Sequence, residues 1–310
     1  MKNRRPPPFQ PTLPLYPFRD REQRNRFLKL VRDHLARDGQ GVVIRDGCAQ
    51  VEGSPGVHGL GNLAQLCWQA PEARWPEIIA RHLGLSRPER LSALAMDLVG
   101  GTFDRIAEHL AVRLYPGDYL ADAARVHVVH RTDLPGTLTL LVVDTPQSVM
   151  AVPAPLVEQW GLSREQLFER AIANIARLSA SSWHLLPMPP GVGAPLHALT
   201  GDHYVTSHLL RADPGLPVVG TSGNLVAAPH RGALFSLPID GGVAPFAIEA
   251  LLTFSIGMFH EGPGSITPHL FWRTPAGNYE LQQGCREGRH HRLAPTPGFA
   301  PLLARRSPSS

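Results

Sequence analysis

The stretch TGDHYVTSHLL (200–210) places Asp202, His203, Ser207 and His208 within seven positions. An acid, two imidazoles and a hydroxyl are the residue types of a hydrolytic triad, and histidine with aspartate is also a metal-ligand combination. The segment from His203 to Leu210 reads as a strand, on which side chains alternate faces. His203 and His208, five apart, then point to opposite sides and cannot share a metal ion. Ser207 and His208 are neighbours and also face apart, so they do not form a nucleophile and its base.

His127 and His130 in RVHVVHR (125–131) fail by the same parity, since three valines mark that run as another strand. No HExxH and no Cys/His zinc spacing occurs, so no metal is expected. No GxSxG elbow is present, and GTSGN (220–224) reads as a turn. GVHGLGNL (56–63) is glycine-rich ahead of a helix but lacks the spacing of either phosphate-binding glycine motif, so no nucleotide cofactor is expected. The pair His290–His291 lies in a basic tail and reads as solvated.

APHRGALF (228–235) is the remaining candidate. Pro229 closes one strand, Gly232 opens the next, and His230 and Arg231 are displayed between them. Two cationic donors on one loop can receive a carboxylate or a phosphate. Asp202 is the third residue of this candidate binding site. The competing expectation is an exposed turn, in which Arg231 meets only solvent.

The elements that must position these residues follow from periodicity and punctuation. Asp20 caps a helix with Phe27, Leu30, Val31 and Leu35 on one face, ending near Gly39. GVVIRDGCAQVEG (41–53) is a hairpin turned by Asp46-Gly47. Two short helices flank Pro71, and another covers 102–110. Strands follow at 111–115, 125–131 and 137–144. Ser163 and Gln166 form a capping box at the start of the helix over 163–180. Later strands fall at 203–210, 225–228 and 233–239, then a helix over 246–259 and a hairpin of 269–273 with 279–283. The hexapeptides GNLAQL (61–66) and ANIARL (173–178) share Asn62 and Asn174 at equivalent positions, a possible sign of duplication.

Composition restricts the functional classes. With 43% hydrophobic residues in 310, the chain can bury a sizeable core, while 31 prolines and 29 glycines argue for many turns over a helical bundle. The longest apolar run, FAIEALLTFSIGMF (246–259), is broken by Glu249 and shorter than the about 20 residues a bilayer requires. No membrane span is expected, and the proline-broken N-terminus shows no secretion signal. Three scattered cysteines give no disulfide framework, which suits a reducing cytoplasm. The net charge of +4 is unevenly spread: residues 1–37 carry ten Lys/Arg against three acids, and 286–310 five against one. The body between is mildly acidic, so a nucleic-acid partner is not expected.

GDHYVTSHLL with LVAAPHRGALFSLPI, and VPAPLVEQWGLSREQLFERAIANI, resemble segments of the YtpQ-like family of uncharacterised bacterial proteins over about residues 110–280. The resemblance implies an α+β fold and a bacterial cytosolic origin, and carries no activity. One position departs from the family pattern: Gly232 stands where an aspartate would follow Arg231.

The expected fold is therefore α+β, with antiparallel β-hairpins packed against helices in two weakly separated subdomains. A disordered proline-rich leader (1–19) precedes an N-terminal subdomain (20–115); a C-terminal subdomain (120–285) and a basic disordered tail (286–310) follow, with the boundary near 111–125. The leading functional expectation is a non-catalytic protein-binding or regulatory protein of the cytoplasm, of adaptor or immunity type, without cofactor. The alternative is an enzyme or small-anion-binding domain that uses the His230/Arg231 loop with Asp202.

Overall fold

Asp20 starts the first helix: its carboxylate accepts the Gln23 N–H at 2.8 Å, satisfying one of the donors a helix N-terminus leaves open. The helix α1 (Arg21–Leu35) then buries Phe27, Val31 and His34 at spacings of four and three. The computed structural model describes residues 17–18, 20–36, 41–45, 47–52, 57–84, 103–120, 125–144, 149–179, 181–187, 195–287 and 290–304. Most of the expected leader, Asp46 and the last six residues lie outside the described residues.

β1 (Val42–Arg45) and β2 (Cys48–Val51) form the expected hairpin, with Gly47 at φ 74°. β3 (Val57–Gly59) pairs with β2. α2 (Gly61–Trp68) and α3 (Trp75–Gly84) are joined by a short 3-10 turn. Phe27, Leu63, Trp75 and Ile79 fill the core between these helices and the small sheet. Phe18, from the end of the leader, lies 5.0 Å from Phe27 and 5.2 Å from Trp75, ring to ring.

The second layer begins with α4 (Phe103–Ile106), which leads through a 3-10 turn into β4 (Leu110–Pro116). β5 (His130–Arg131), β6 (Thr137–Asp144) and β7 (Val149–Ala151) complete an antiparallel sheet in which β6 pairs with the other three. After α5 (Pro155–Trp160), α6 (Arg164–Leu178) buries Leu167, Phe168, Ala171 and Ile175 against that sheet. Its capping box is formed: Gln166 N–H donates to Ser163 Oγ at 3.2 Å, and Ser163 N–H to Gln166 Oε1 at 2.9 Å. Asn174 donates to the carbonyls of Ala107 and Leu110, each at 2.9 Å, and so fixes the helix to the start of β4. β4 occupies the first half of 111–125, the stretch expected to separate two subdomains.

The remaining strands form one seven-stranded antiparallel sheet: β8 (Trp183–Leu186), β9 (Leu196–Thr200), β10 (Asn224–His230), β11 (Ala233–Pro238), β12 (Leu270–Arg273), β13 (Tyr279–Glu287) and β14 (His290–Ala294). Their spatial order is β14-β13-β12-β10-β11-β9-β8. Alternation divides β10 between two cores. Leu225 and Ala227 pack under α7 (Pro245–Glu261), while Val226 and Ala228 meet Leu114, Val205 and Phe271 on the other face. The fold is α+β, with antiparallel hairpins against helices, as the sequence predicts.

Three local expectations are corrected. Residues Val205–Leu210 form a 3-10 helix, not a strand. Asp202 turns the chain by accepting the Tyr204 N–H at 2.7 Å, and Val205 and Leu209, four apart, then enter the same core. In 125–131 only His130–Arg131 is strand, because Arg125 folds back onto the carbonyls of Leu120 and Gly117. The tail expected to be disordered from 286 instead holds β14 and α8 (Ala300–Ala304). Phe299 is fully buried, 5.6 Å from the Trp272 ring, and Gln282 holds Thr296 from the neighbouring strand. One buried aromatic outweighs the polar composition around it.

Burial depresses the pKa of His58, His82, His197, His208, His230 and His269 below 6.5. As pH falls below 6.5, the unfolded chain takes up protons at these sites that the folded chain resists. The stability present above 6.5 is therefore progressively lost toward acid. Thermal unfolding from pH 8 to pH 5 should show a falling melting temperature with net proton uptake. A melting temperature that rises toward pH 5 would contradict the burial of these rings.

Candidate functional site

Arg231 occupies the turn from β10 to β11, where the register shifts between Ala227 and His230. Its backbone is tied on both sides: Arg231 N–H donates to Gly264 O at 3.0 Å, and Arg231 O accepts the Thr206 N–H at 3.2 Å. Ile266 N–H to Pro229 O (2.8 Å) and Gly201 N–H to Gly232 O (3.1 Å) close the corner. The exposed turn weighed from the sequence is thus a packed junction of loops 201–206 and 261–266, and only 8% of Arg231 remains accessible. A Cβ on Gly232 would stand 3.0 Å from Gly201 O, so a larger residue there would require that neighbouring backbone to shift by a few tenths of an ångström.

The arginine side chain opens onto a cavity of about 380 Å³ between the N-terminal helices, the end of β4 and the loop after α7. Pro17, Asn62, Gln65 and Trp68 line it from the first unit. Tyr115, Pro116 and Tyr119 line it from β4 and the following turn, and His260 and Ser265 from the far side. The Arg231 guanidinium carbon stands 5.1 Å from the Tyr115 ring centroid, within cation–π range. Tyr119 stacks on Tyr115 with centroids 4.2 Å apart and planes inclined by 30°.

Among the described residues, no acceptor takes a hydrogen bond from the guanidinium and no carboxylate forms an ion pair with it. Burial is the chief influence on this group and pushes its pKa down. The nearby Arg113 charge pushes in the same direction. An arginine nevertheless stays protonated in proteins, so the cavity holds a full positive charge with no counter-ion among the described residues. Arg113 on β4 is a second buried arginine, 7% accessible, with its guanidinium carbon 4.7 Å from the Tyr204 ring centroid. It adds to the positive field but does not line the cavity.

The wall opposite is rigid. Gln65 donates to Ser265 Oγ at 2.8 Å and accepts the Gly264 N–H at 3.2 Å, while Ser265 Oγ donates to Phe259 O at 2.6 Å. Gln69 donates to the carbonyls of Glu261 and Gly262. These bonds join α2 to the loop that lies directly on Arg231.

Of the three residues singled out from sequence, only Arg231 lines the cavity. His230 Nδ1 accepts the Gly232 N–H at 3.2 Å, and burial, then the Arg231 charge, holds its pKa down. The Asp202 carboxylate caps the Tyr204 turn, is exposed, and does not pair with Arg231. Ser207 and His208 do not form a catalytic pair either, because Ser207 Oγ donates to Val112 O at 2.7 Å and His208 faces Arg211. Among the described residues, no group of three His, Cys, Asp or Glu is placed to hold a metal ion, and no helix is long and apolar enough to cross a membrane.

Sequence reasoning missed the aromatic and amide side chains of the cavity. Two signals were present: Asn62, Gln65 and Gln69 interrupt an otherwise apolar helix at spacings of three and four, and YPGDY places Tyr115 and Tyr119 on either side of a tight turn. No family model, curated protein or solved structure matches this chain.

Proposed function

We propose that this chain is a non-catalytic binding protein whose ligand is a small organic anion held by Arg231. The observation that carries this reading is an arginine of which only 8% is accessible, whose side chain lines a cavity and has no acceptor among the described residues. A buried charge left unpaired is costly, and an anion supplies the missing partner through the two parallel bonds that a guanidinium offers. Ligand pockets of this size, largely apolar with a few convergent polar groups, are the usual form of small-molecule sites.

Among the described residues lining the cavity none is an activated nucleophile, which favours binding over catalysis. The Ser265 hydroxyl donates to a carbonyl and accepts from an amide, with no base among these partners to activate it. Because the ligand would touch α2, β4 and the loop after α7 at once, occupancy would couple these elements. A regulatory or adaptor role, in which a protein partner reads that state, is consistent with such coupling. We also propose a place in the bacterial cytoplasm, on the strength of the YtpQ-like segments and the lack of a disulfide pattern.

The test is a thermal and calorimetric titration of wild type and Arg231→Ala with acetate, benzoate and inorganic phosphate. At least one anion should bind wild type and raise its stability by RT ln(1 + [L]/Kd), about 2.7 kcal/mol at a hundredfold excess over Kd. The variant should lose that response. Identical curves for the two proteins with every anion would remove the site.

A further inference from the structure

We infer that the ligand is an aryl carboxylate: one carboxylate on Arg231, attached to a flat ring lying among Trp68, Tyr119 and Pro116. This rests on the anion-binding reading above and specifies its ligand class.

The charge balance selects the acid. Among the described residues lining the cavity, Arg231 is the only Lys or Arg. A carboxylate carries one negative charge and matches the planar guanidinium with two parallel bonds. A phosphomonoester carries about −1.5 to −2 at neutral pH, more than the single charge of Arg231 balances. His260 lies on the exposed side of the cavity. It does not supply a second buried cation.

The walls select the rest of the molecule. Beyond Arg231 the cavity is bounded by the flat faces of Trp68, Tyr115, Tyr119, Pro17 and Pro116. Tyr119 keeps 46% of its surface uncovered although it stacks on Tyr115. An aromatic surface left open beside a buried cation is suited to another ring, which would extend the existing Arg231–Tyr115–Tyr119 stack. Gln65 and Ser265 are engaged with each other and with backbone, and so shape the wall. Asn62 forms no hydrogen bond with any described residue, and its amide is available for a polar substituent on the ring. A cavity of about 380 Å³ accommodates one or two fused rings with their acid group.

The experiment compares benzoate, 1-naphthoate, cyclohexanecarboxylate, acetate, phenyl phosphate and inorganic phosphate by calorimetric titration of the full chain. Benzoate or naphthoate should bind at least about tenfold more tightly than acetate or either phosphate, and more tightly than cyclohexanecarboxylate. Tyr119→Ala and Trp68→Ala should each weaken aryl-acid binding by about three- to tenfold, the range for an aromatic pair, while leaving acetate unchanged. Trp68→Phe, which retains a flat ring, should recover most of the loss and shows that the site is still folded. Acetate or cyclohexanecarboxylate binding as tightly as benzoate would overturn the aromatic assignment but leave Arg231 as an anion site. Preferential binding of phenyl phosphate would overturn the carboxylate assignment in the same way. If no anion binds, both this inference and the reading beneath it fall.

Discussion

Replacing Arg231 with methionine should stabilise the ligand-free protein by about 1–4 kcal/mol while abolishing its response to anions. Arg231 is 8% accessible, and its guanidinium has no acceptor among the described residues. The desolvation cost of such a charge is several kcal/mol. Against it stands one cation–π contact with Tyr115 at 5.1 Å, worth about 0.5–2 kcal/mol. Methionine keeps an unbranched stem of comparable reach, fills irregular space readily, and carries no charge to desolvate. The expected result is a raised midpoint in urea unfolding with an unchanged slope. Such a gain in stability on loss of a site residue is the usual signature of a strained functional position. A fall of more than about 1 kcal/mol would show that Arg231 is held by a partner that contributes net stability, and the case for a vacant anion site would weaken with it.

Gly264→Ala should cost stability and anion binding together. Gly264 adopts φ +81°, a region that favours glycine, and a Cβ there would lie 2.3 Å from Arg231 Nε and 2.7 Å from its Nη2. Left-handed strain costs about 1–2 kcal/mol, and the collision forces the guanidinium from its place over Tyr115. The expected outcome is a loss of about 2–4 kcal/mol of stability together with loss of anion binding. Gly161→Ala is the control. That residue has φ +65° with nothing within 4 Å of an added Cβ, so it should show the backbone cost alone and keep its ligand response. If the two variants lose equal stability, and Gly264→Ala still binds anions like wild type, the close packing of that loop on Arg231 is refuted.

What a residue's near neighbours decide was readable from the sequence. Asp20 and Ser163 cap helices because an N-terminal donor lies three residues on. The hairpin of β1 and β2 turns at Gly47 because that position needs a positive φ. The long apolar helix and the β10–β11 and β12–β13 hairpins follow from apolar runs punctuated by turn residues. These interactions are short in sequence, so propensity and periodicity are enough to place them.

Other features depended on partners distant in the chain. The segment 203–210 has the side chains of a strand, yet it is helical because Val205 and Leu209 share one core and Ser207 bonds to Val112, 95 positions away. The tail after 286 is polar, yet it is ordered because Phe299 finds Trp272. Arg231 was visible as a cation in a turn. Its burial was not, because that comes from the loop at 261–266 closing over it and from Gln65 holding that loop, a contact 199 positions long. The sequence by itself determined most of the element types and the presence of Arg231 between two strands. Only the tertiary structure decided that this arginine would be buried beside Tyr115 with no counter-ion among the described residues, because burial and charge balance are sums over neighbours that the linear order does not bring together.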